Sequence, residues 1–257
     1  MFPSPYQLKN PIVLVHGLGS YSKYGPVDYF FGITDWLREW GNIVYVADLS
    51  FWHGNEVRAK QLEQQLAKAF PNHEAINLIG HSMGGTTVRY YTSQIDKGGQ
   101  VASVTTIGSP NKGSSAADMA LKLVSKKAFD FSDKLIQKIK MSHDGLREVG
   151  KNFHDNQFKG LIADIEGVGY FSATSVIQSP VRKHALPQFW TTHPVLYRFE
   201  GDNDGFVSEQ SAKWGTHITT EFGDHYAQIG QLLGQTRGMK TMNFWKKIIK
   251  RLRSEGF

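Results

Sequence analysis

Gly80-His81-Ser82-Met83-Gly84-Gly85 follows the apolar run Ala75-Ile76-Asn77-Leu78-Ile79, and the reading of this junction decides the fold. The apolar run predicts a buried strand, and residues 83 to about 95 predict a helix. Between them stands a serine with a glycine two residues to either side. Glycine has no Cβ, so the chain can pass through a cramped strand-to-helix turn that projects the serine hydroxyl from the C-terminal edge of a sheet. A helix starting at Met83 would place backbone N–H groups and a positive dipole end beside that hydroxyl. The bare pattern is common. Its position directly after a strand makes Ser82 a nucleophile candidate.

Working outward, residues 11–16 and 42–49 read as strands and residues 28–40 and 55–70 as helices, with Val57, Leu62, Leu66 and Phe70 at helical spacing. A further strand spans 101–108. Repeated βα units with continuous apolar runs predict an α/β fold with a mostly parallel central sheet and helices on both faces. After Gly108 the pattern changes. Residues 114–164 hold no convincing strand and read as a helical insertion, a lid or cap, before strand-like segments return at 168–176 and 195–200. An insertion of this length ordinarily covers something. No repeat, linker or low-complexity tract divides the chain, so residues 1–257 read as one domain with the insertion inside it.

A serine needs a base, and the base an orienting acid. With a nucleophile on such a turn the chain order is serine, acid, histidine, which leaves His143, His154, His184, His193, His217 and His225 as bases. His225 sits in the polar turn Phe222-Gly223-Asp224-His225-Tyr226 after a strand-like region, where a base is needed. His217 is the rival, inside what reads as a strand. For the acid, Gly201-Asp202-Asn203-Asp204-Gly205 offers two aspartates, and Asp204, beside Phe206 and Val207, is favoured over Asp202. His16-Gly17-Leu18-Gly19 ends the first strand and can aim the Leu18 N–H at a carbonyl oxygen alongside that of Met83, forming an oxyanion hole.

Composition narrows the classes. The 257 residues are 40% hydrophobic and 20% charged, with no cysteine, which excludes disulfides, thiol catalysis and Cys-ligated metals. The net charge of +6 sits in the last 21 residues, where seven basic residues face only Glu255; the remaining 22 basic and 22 acidic residues cancel. A neutral body with a basic tail is not the footprint of a nucleic-acid binder. In that tail Phe244, Trp245, Ile248, Ile249 and Leu252 share one helical face, predicting either a helix packed on the sheet or, less favoured, one lying in a membrane interface. No transmembrane segment or signal peptide is visible.

With these residues in place, the chain resembles the bacterial true lipases of the Pseudomonas, Burkholderia and Proteus type, triacylglycerol lipases of the α/β-hydrolase fold. The resemblance runs from Tyr6 to about Leu252. It is carried by Pro11-Ile12-Val13-Leu14-Val15-His16-Gly17, Val27-Asp28-Tyr29-Phe30-Phe31-Gly32-Ile33, Asn55-Glu56-Val57-Arg58, Asn77-Leu78-Ile79-Gly80-His81-Ser82, Gly108-Ser109-Pro110-Asn111-Lys112-Gly113-Ser114 and Asn203-Asp204-Gly205. It implies Ser82 as nucleophile, Asp204 as acid, His225 as base, and Leu18 and Met83 as oxyanion donors. It implies a lid over an acyl pocket, a lipid ester substrate at an oil–water or membrane interface, and secretion, with cytoplasmic residence or leaderless export as the alternatives; separately, a monomer is favoured.

Departures from the family also set expectations. Its structural calcium uses an aspartate where this chain has Ala227, so that site is expected to be absent or much weakened and no other cofactor is expected, although Gln231 and Gln235 keep their places. The shorter span between Ser114 and Val195 leaves acyl-length preference open. A short-chain carboxylesterase or a phospholipase would carry the same motifs; a non-catalytic lipid-binding relative is less favoured, because binding alone has no need of Ser82, Asp204 and His225 together.

Overall fold

The computed structural model describes residues 4–72, 74–128, 144–234 and 238–257. Its centre is a six-stranded sheet in the order β4-β1-β5-β6-β7-β8, every adjacent pair parallel. The strands are β1 (Ile12–Val15), β4 (Val44–Ala47), β5 (Ile76–His81), β6 (Val101–Ile107), β7 (Gly169–Val176) and β8 (Thr216–Phe222), while β2 (Lys23–Tyr24) and β3 (Val27–Asp28) form a small antiparallel hairpin. The longer helices are α1 (Ile33–Glu39), α2 (Asn55–Ala69), α3 (Met83–Tyr90), α4 (Ser115–Ala128), α5 (Phe189–Glu200) and α6 (Thr241–Ser254).

Both sheet faces are covered, which is why β1 is apolar throughout and β5 is buried along its whole length, its polar Asn77 and His81 being hydrogen-bonded. Side chains alternate across a strand, so Ile12 and Leu14 join one core with Ile33 and Leu37 of α1 and Phe244, Trp245, Ile248 and Ile249 of α6. Val13 and Val15 join the other, with Leu62 and Leu66 of α2 and Val88 of α3. The apolar face of α6 is therefore buried against the sheet, as the packed-helix reading expects. Its outward cations are partly engaged: Lys247 pairs with Glu221, Arg251 with Glu255, and the ammonium groups of Lys246 and Lys250 lie 5.9 and 5.5 Å from the Tyr6 ring centre.

One expected strand is a helix. Residues 195–200 form the C-terminal half of α5, which buries Phe189, His193 and Leu196 at helical spacing and carries Pro194 within it. The apolar residues that suggested a strand, Val195, Tyr197 and Phe199, are exposed instead, at 38, 55 and 66%. The acid turn thus follows a helix. The described parts of 114–164 hold only helices, short turns and irregular ends, with a single bridge between Ser114 and Gly150 and no strand. Phe129, Phe131, Lys134, Leu135, Ile136, Lys138, Ile139, Lys140 and His143 lie outside the described residues, as does Gln235.

Candidate active site

Ser82 joins β5 to α3 with φ 56° and ψ −130°, a conformation that non-glycine residues rarely adopt. The neighbouring glycines make it possible. A Cβ on Gly80 would collide with the backbone of Gly84 and Gly85, and one on Gly84 with the carbonyls of Val15 and His16. Gly17 passes so close that its Cβ would lie 2.8 Å from that of Ser82. β1, β5 and α3 therefore touch backbone to backbone, and the serine has one place to point. The first N–H groups of α3, Met83 among them, have no partner within the helix.

Asp204 and His225 meet across the loops beyond β7 and β8. His225 Nδ1 lies 2.7 Å from Asp204 Oδ2, and the His225 backbone N–H donates to the Asp204 carbonyl at 2.9 Å. Oδ1 of the buried carboxylate accepts the N–H groups of Phe206 and Val207 at 3.0 and 2.8 Å. Donation from Nδ1 leaves Nε2 as the ring nitrogen able to take a proton. Asp202, the rival acid, is exposed, and its carbonyl accepts the Glu209 N–H. His217 lies within β8 and bonds Ser172 and Thr220. His154 pairs with Asp155, His193 is buried on α5, and His184 ends a short helix.

The loop after β1 is braced from beneath. Arg58 on α2 is fully buried and donates to the carbonyls of His16 and Ser50 and to Thr87 Oγ1. Desolvation brings its guanidinium down to about 10. His16 lies with Nδ1 against the Gly17 carbonyl and accepts the Leu49 N–H at Nε2; burial first, and then the Arg58 charge, lower its pKa to about 4. It is a neutral brace for the loop.

A second chain of bonds has one self-consistent direction. His81 Nε2 faces the His225 carbonyl at 3.2 Å and must donate, so Nδ1 accepts from the Tyr29 hydroxyl at 2.7 Å. The Tyr29 oxygen in turn accepts the Gly17 N–H at 3.1 Å. Burial, then the neighbouring His225, hold His81 well below the ordinary histidine range, and burial raises Tyr29. Gly17, the serine turn and the histidine loop are thereby tied together.

Ser82 and His225 open into one cavity of about 960 Å³. Leu18, Val27, Ala117, Leu146, Val149 and Ile229 give it apolar walls, and Tyr24, Leu232 and Leu233 stand exposed at 47, 58 and 55% among its lining. Ala117, Ala120, Leu146 and Val149 come from the insertion. Its size suits a small-molecule pocket, a class that runs to about 1,000 Å³.

Beside the cavity, Ala227 is fully buried, and Gln231 donates its amide to the carbonyls of Asp28 and Tyr29. Asp224 accepts the N–H groups of Leu186, Tyr226 and Ala227. Among the described residues no three His, Asp or Glu side chains cluster as metal ligands would.

Sequence reasoning gave no role in this network to Arg58 or Tyr29, nor to Gln228, whose amide donates to Ser175 Oγ at 2.7 Å and to Asp204 Oδ2 at 2.9 Å. Arg58 alone left a signal: it shares the inward face of α2 with Asn55, Ala59, Leu62 and Leu66. Tyr29, Ser175 and Gln228 reach the site through contacts 12 to 53 residues apart in the chain, which no local pattern announces.

A profile of the palmitoyl protein thioesterase family matches residues 11–158, more than half of the sequence. The chain belongs to that family. This thioesterase-family chain is also similar to the triacylglycerol lipase of Pseudomonas fragi, 28% identical over 285 residues that cover 96% of this chain and 97% of that protein. To the triacylglycerol lipase of Vibrio cholerae it is 44% identical over 115 residues, 44% of this chain and about a third (36%) of that one. The resemblance to bacterial lipases read from the motifs thus holds. Among solved structures, Staphylococcus hyicus lipase aligns with a TM-score of 0.72 at 19% identity, covering 96% of this chain and 97% of that one. The mature form of a Bacillus licheniformis lipase aligns at 0.68 and 21%, covering 96% and 94%. These likenesses are of fold, and the fold is that of the α/β-hydrolases.

Proposed function

We propose that this chain is a lipase, a serine hydrolase that cleaves carboxylic esters of acylglycerols through an acyl-serine intermediate. The observation that carries the reading is the buried His225–Asp204 pair at 2.7 Å opening, with Ser82, into one apolar cavity of about 960 Å³. In this reading His225 Nε2 takes the Ser82 proton as Oγ attacks the ester carbonyl, and Asp204 holds the imidazole in the Nδ1–H form and stabilises its cation. The N–H groups of Leu18 and Met83 receive the oxyanion; losing one such donor costs about 10²–10³ in rate. His225 then protonates the departing alcohol, and water attacks the acyl-serine by the reverse path.

The insertion at 114–164 acts as a lid, supported by its residues in the cavity wall. The enzyme works without calcium, because Ala227 offers no oxygen from its side chain and calcium takes six to eight, carboxylates among them. It acts as a monomer outside the cell, on lipid esters, and the similarity to a triacylglycerol lipase supports that substrate class. No described helix is long and apolar enough to cross a membrane.

The family match favours one second reading, hydrolysis of long-chain acyl thioesters by the same groups. The test is hydrolysis of p-nitrophenyl esters from C2 to C16, and of a palmitoyl thioester, by the wild type and Ser82→Ala, with and without chelator. Serine-dependent ester cleavage reaching C16 and indifferent to chelator is the expected result. Cleavage confined to short chains makes the protein a carboxylesterase, preference for the thioester selects the second reading, and undiminished activity in Ser82→Ala overturns the mechanism.

A further inference from the structure

The Asp204 carboxylate receives more than holding a histidine requires. Besides His225, Oδ2 accepts Nε2–H of Gln228 at 2.9 Å. Gln228 is fully buried, and its other amide hydrogen goes to Ser175 Oγ at 2.7 Å. Its backbone carbonyl is pinned by the Trp245 indole N–H at 2.8 Å. Gly108 leaves room for the amide, since a Cβ there would collide with Gln228 Oε1. That oxygen lies toward the His81 imidazole but makes no hydrogen bond of good geometry. Only an NH₂ group can face an ionised carboxylate, so the amide orientation is fixed by Asp204, with Oε1 left poorly satisfied. Buried polar groups are normally paired, and an exception at a reacting centre points to a role there.

We infer that Gln228 is a positioning residue for the catalytic acid. Its amide holds Asp204 Oδ2 in line with His225 Nδ1 and takes up part of the negative charge that this oxygen offers to the imidazolium formed in the reaction. A hydrogen bond to the charged form of a group stabilises that form, and an oxygen shared between two donors supports an adjoining imidazolium less than an oxygen serving one. The inference rests on the reading of Ser82, His225 and Asp204 as the reacting set. The other titratable groups near His225 are His81, with ring centres 4.5 Å apart and its imidazole toward Gln228, Asp224, which feels the charge of Asp204, and Tyr226; all three stay in place in the Gln228 variants.

The experiment is the pH profile of kcat/KM for p-nitrophenyl ester hydrolysis by the wild type, Gln228→Met, Gln228→Asn and Gln228→Glu, with thermal melts to verify folding. Gln228→Met removes the donor at nearly constant volume, Gln228→Asn keeps an amide but withdraws it from Oδ2, and Gln228→Glu adds charge. The acid limb is expected to move to higher pH, by about one unit for the neutral variants and further for Gln228→Glu, with kcat falling more than KM rises. A purely structural role would lower activity and melting temperature without moving the limb, and a limb that stays in place in the folded variants overturns the inference. Absence of Ser82-dependent activity in the wild type would overturn the reading of the site instead.

Discussion

On the serine side of the site, Gly17, Ser82 and Met83 are held where β1, β5 and α3 press backbone against backbone; on the acid side, Asp204, His225 and Gln228 stand on loops joined by side-chain hydrogen bonds. The first half is fixed by excluded volume and tolerates almost no added atom. The second is fixed by donors and acceptors and tolerates changes of volume better than changes of chemistry. The two halves should therefore fail in different ways.

The largest expected effect is on the acid side. Asp204→Asn should lower kcat by about 10⁴, the loss seen when such an acid can no longer orient its histidine, whereas Asp202→Asn should leave steady-state rates unchanged. Comparable losses from both would break the assignment. On the serine side, Gly84→Ala should cost about 3 kcal/mol or more through overpacking, read as a melting temperature lower by roughly 6–12 °C, because its collision partners are the carbonyls of Val15 and His16. A stable, active Gly84→Ala protein would show that the contact can relax.

A third prediction tests the brace. The folded pKa of His16, about 4, lies below its unfolded value near 6.5. Between these pH values the unfolded chain binds the extra proton, so the stabilisation is complete above pH 6.5 and fades as pH falls toward 4, by roughly 2–3 kcal/mol. Urea denaturation from pH 7 to 4.5 reads this slope, and His16→Gln should make it shallower, leaving the part contributed by the buried His81. The smallest effect is Tyr29→Phe, which removes the acceptor for the Gly17 N–H and the donor to His81. About 1 kcal/mol of stability should go, with kcat/KM reduced by up to about tenfold.

The same division governs what could be read from the sequence. The serine turn was legible because apolar runs, glycine spacing and strand-before-helix order are local. Asp204 and His225 were legible through chain order and turn composition. Gln228, Ser175 and Tyr29 were not, since their meaning lies in bonds made across the sheet edge. The segment 195–200 misled because its Val, Tyr and Phe alternate like a strand while lying on the exposed side of α5, where burial does not fix their conformation.

The parallel sheet has a further consequence for how the chain acquires its shape. β1 pairs with β5 more than sixty residues away, and the groups at the site come from around positions 17, 82, 204 and 228. Such non-local pairing closes slowly, because chain entropy is lost before contacts reward it. No partly folded intermediate lacking β8 and the loop beyond it can bring Asp204 to His225. In a refolding experiment the return of turnover should trail the return of helical circular dichroism, making catalysis the last signal that the molecule is whole.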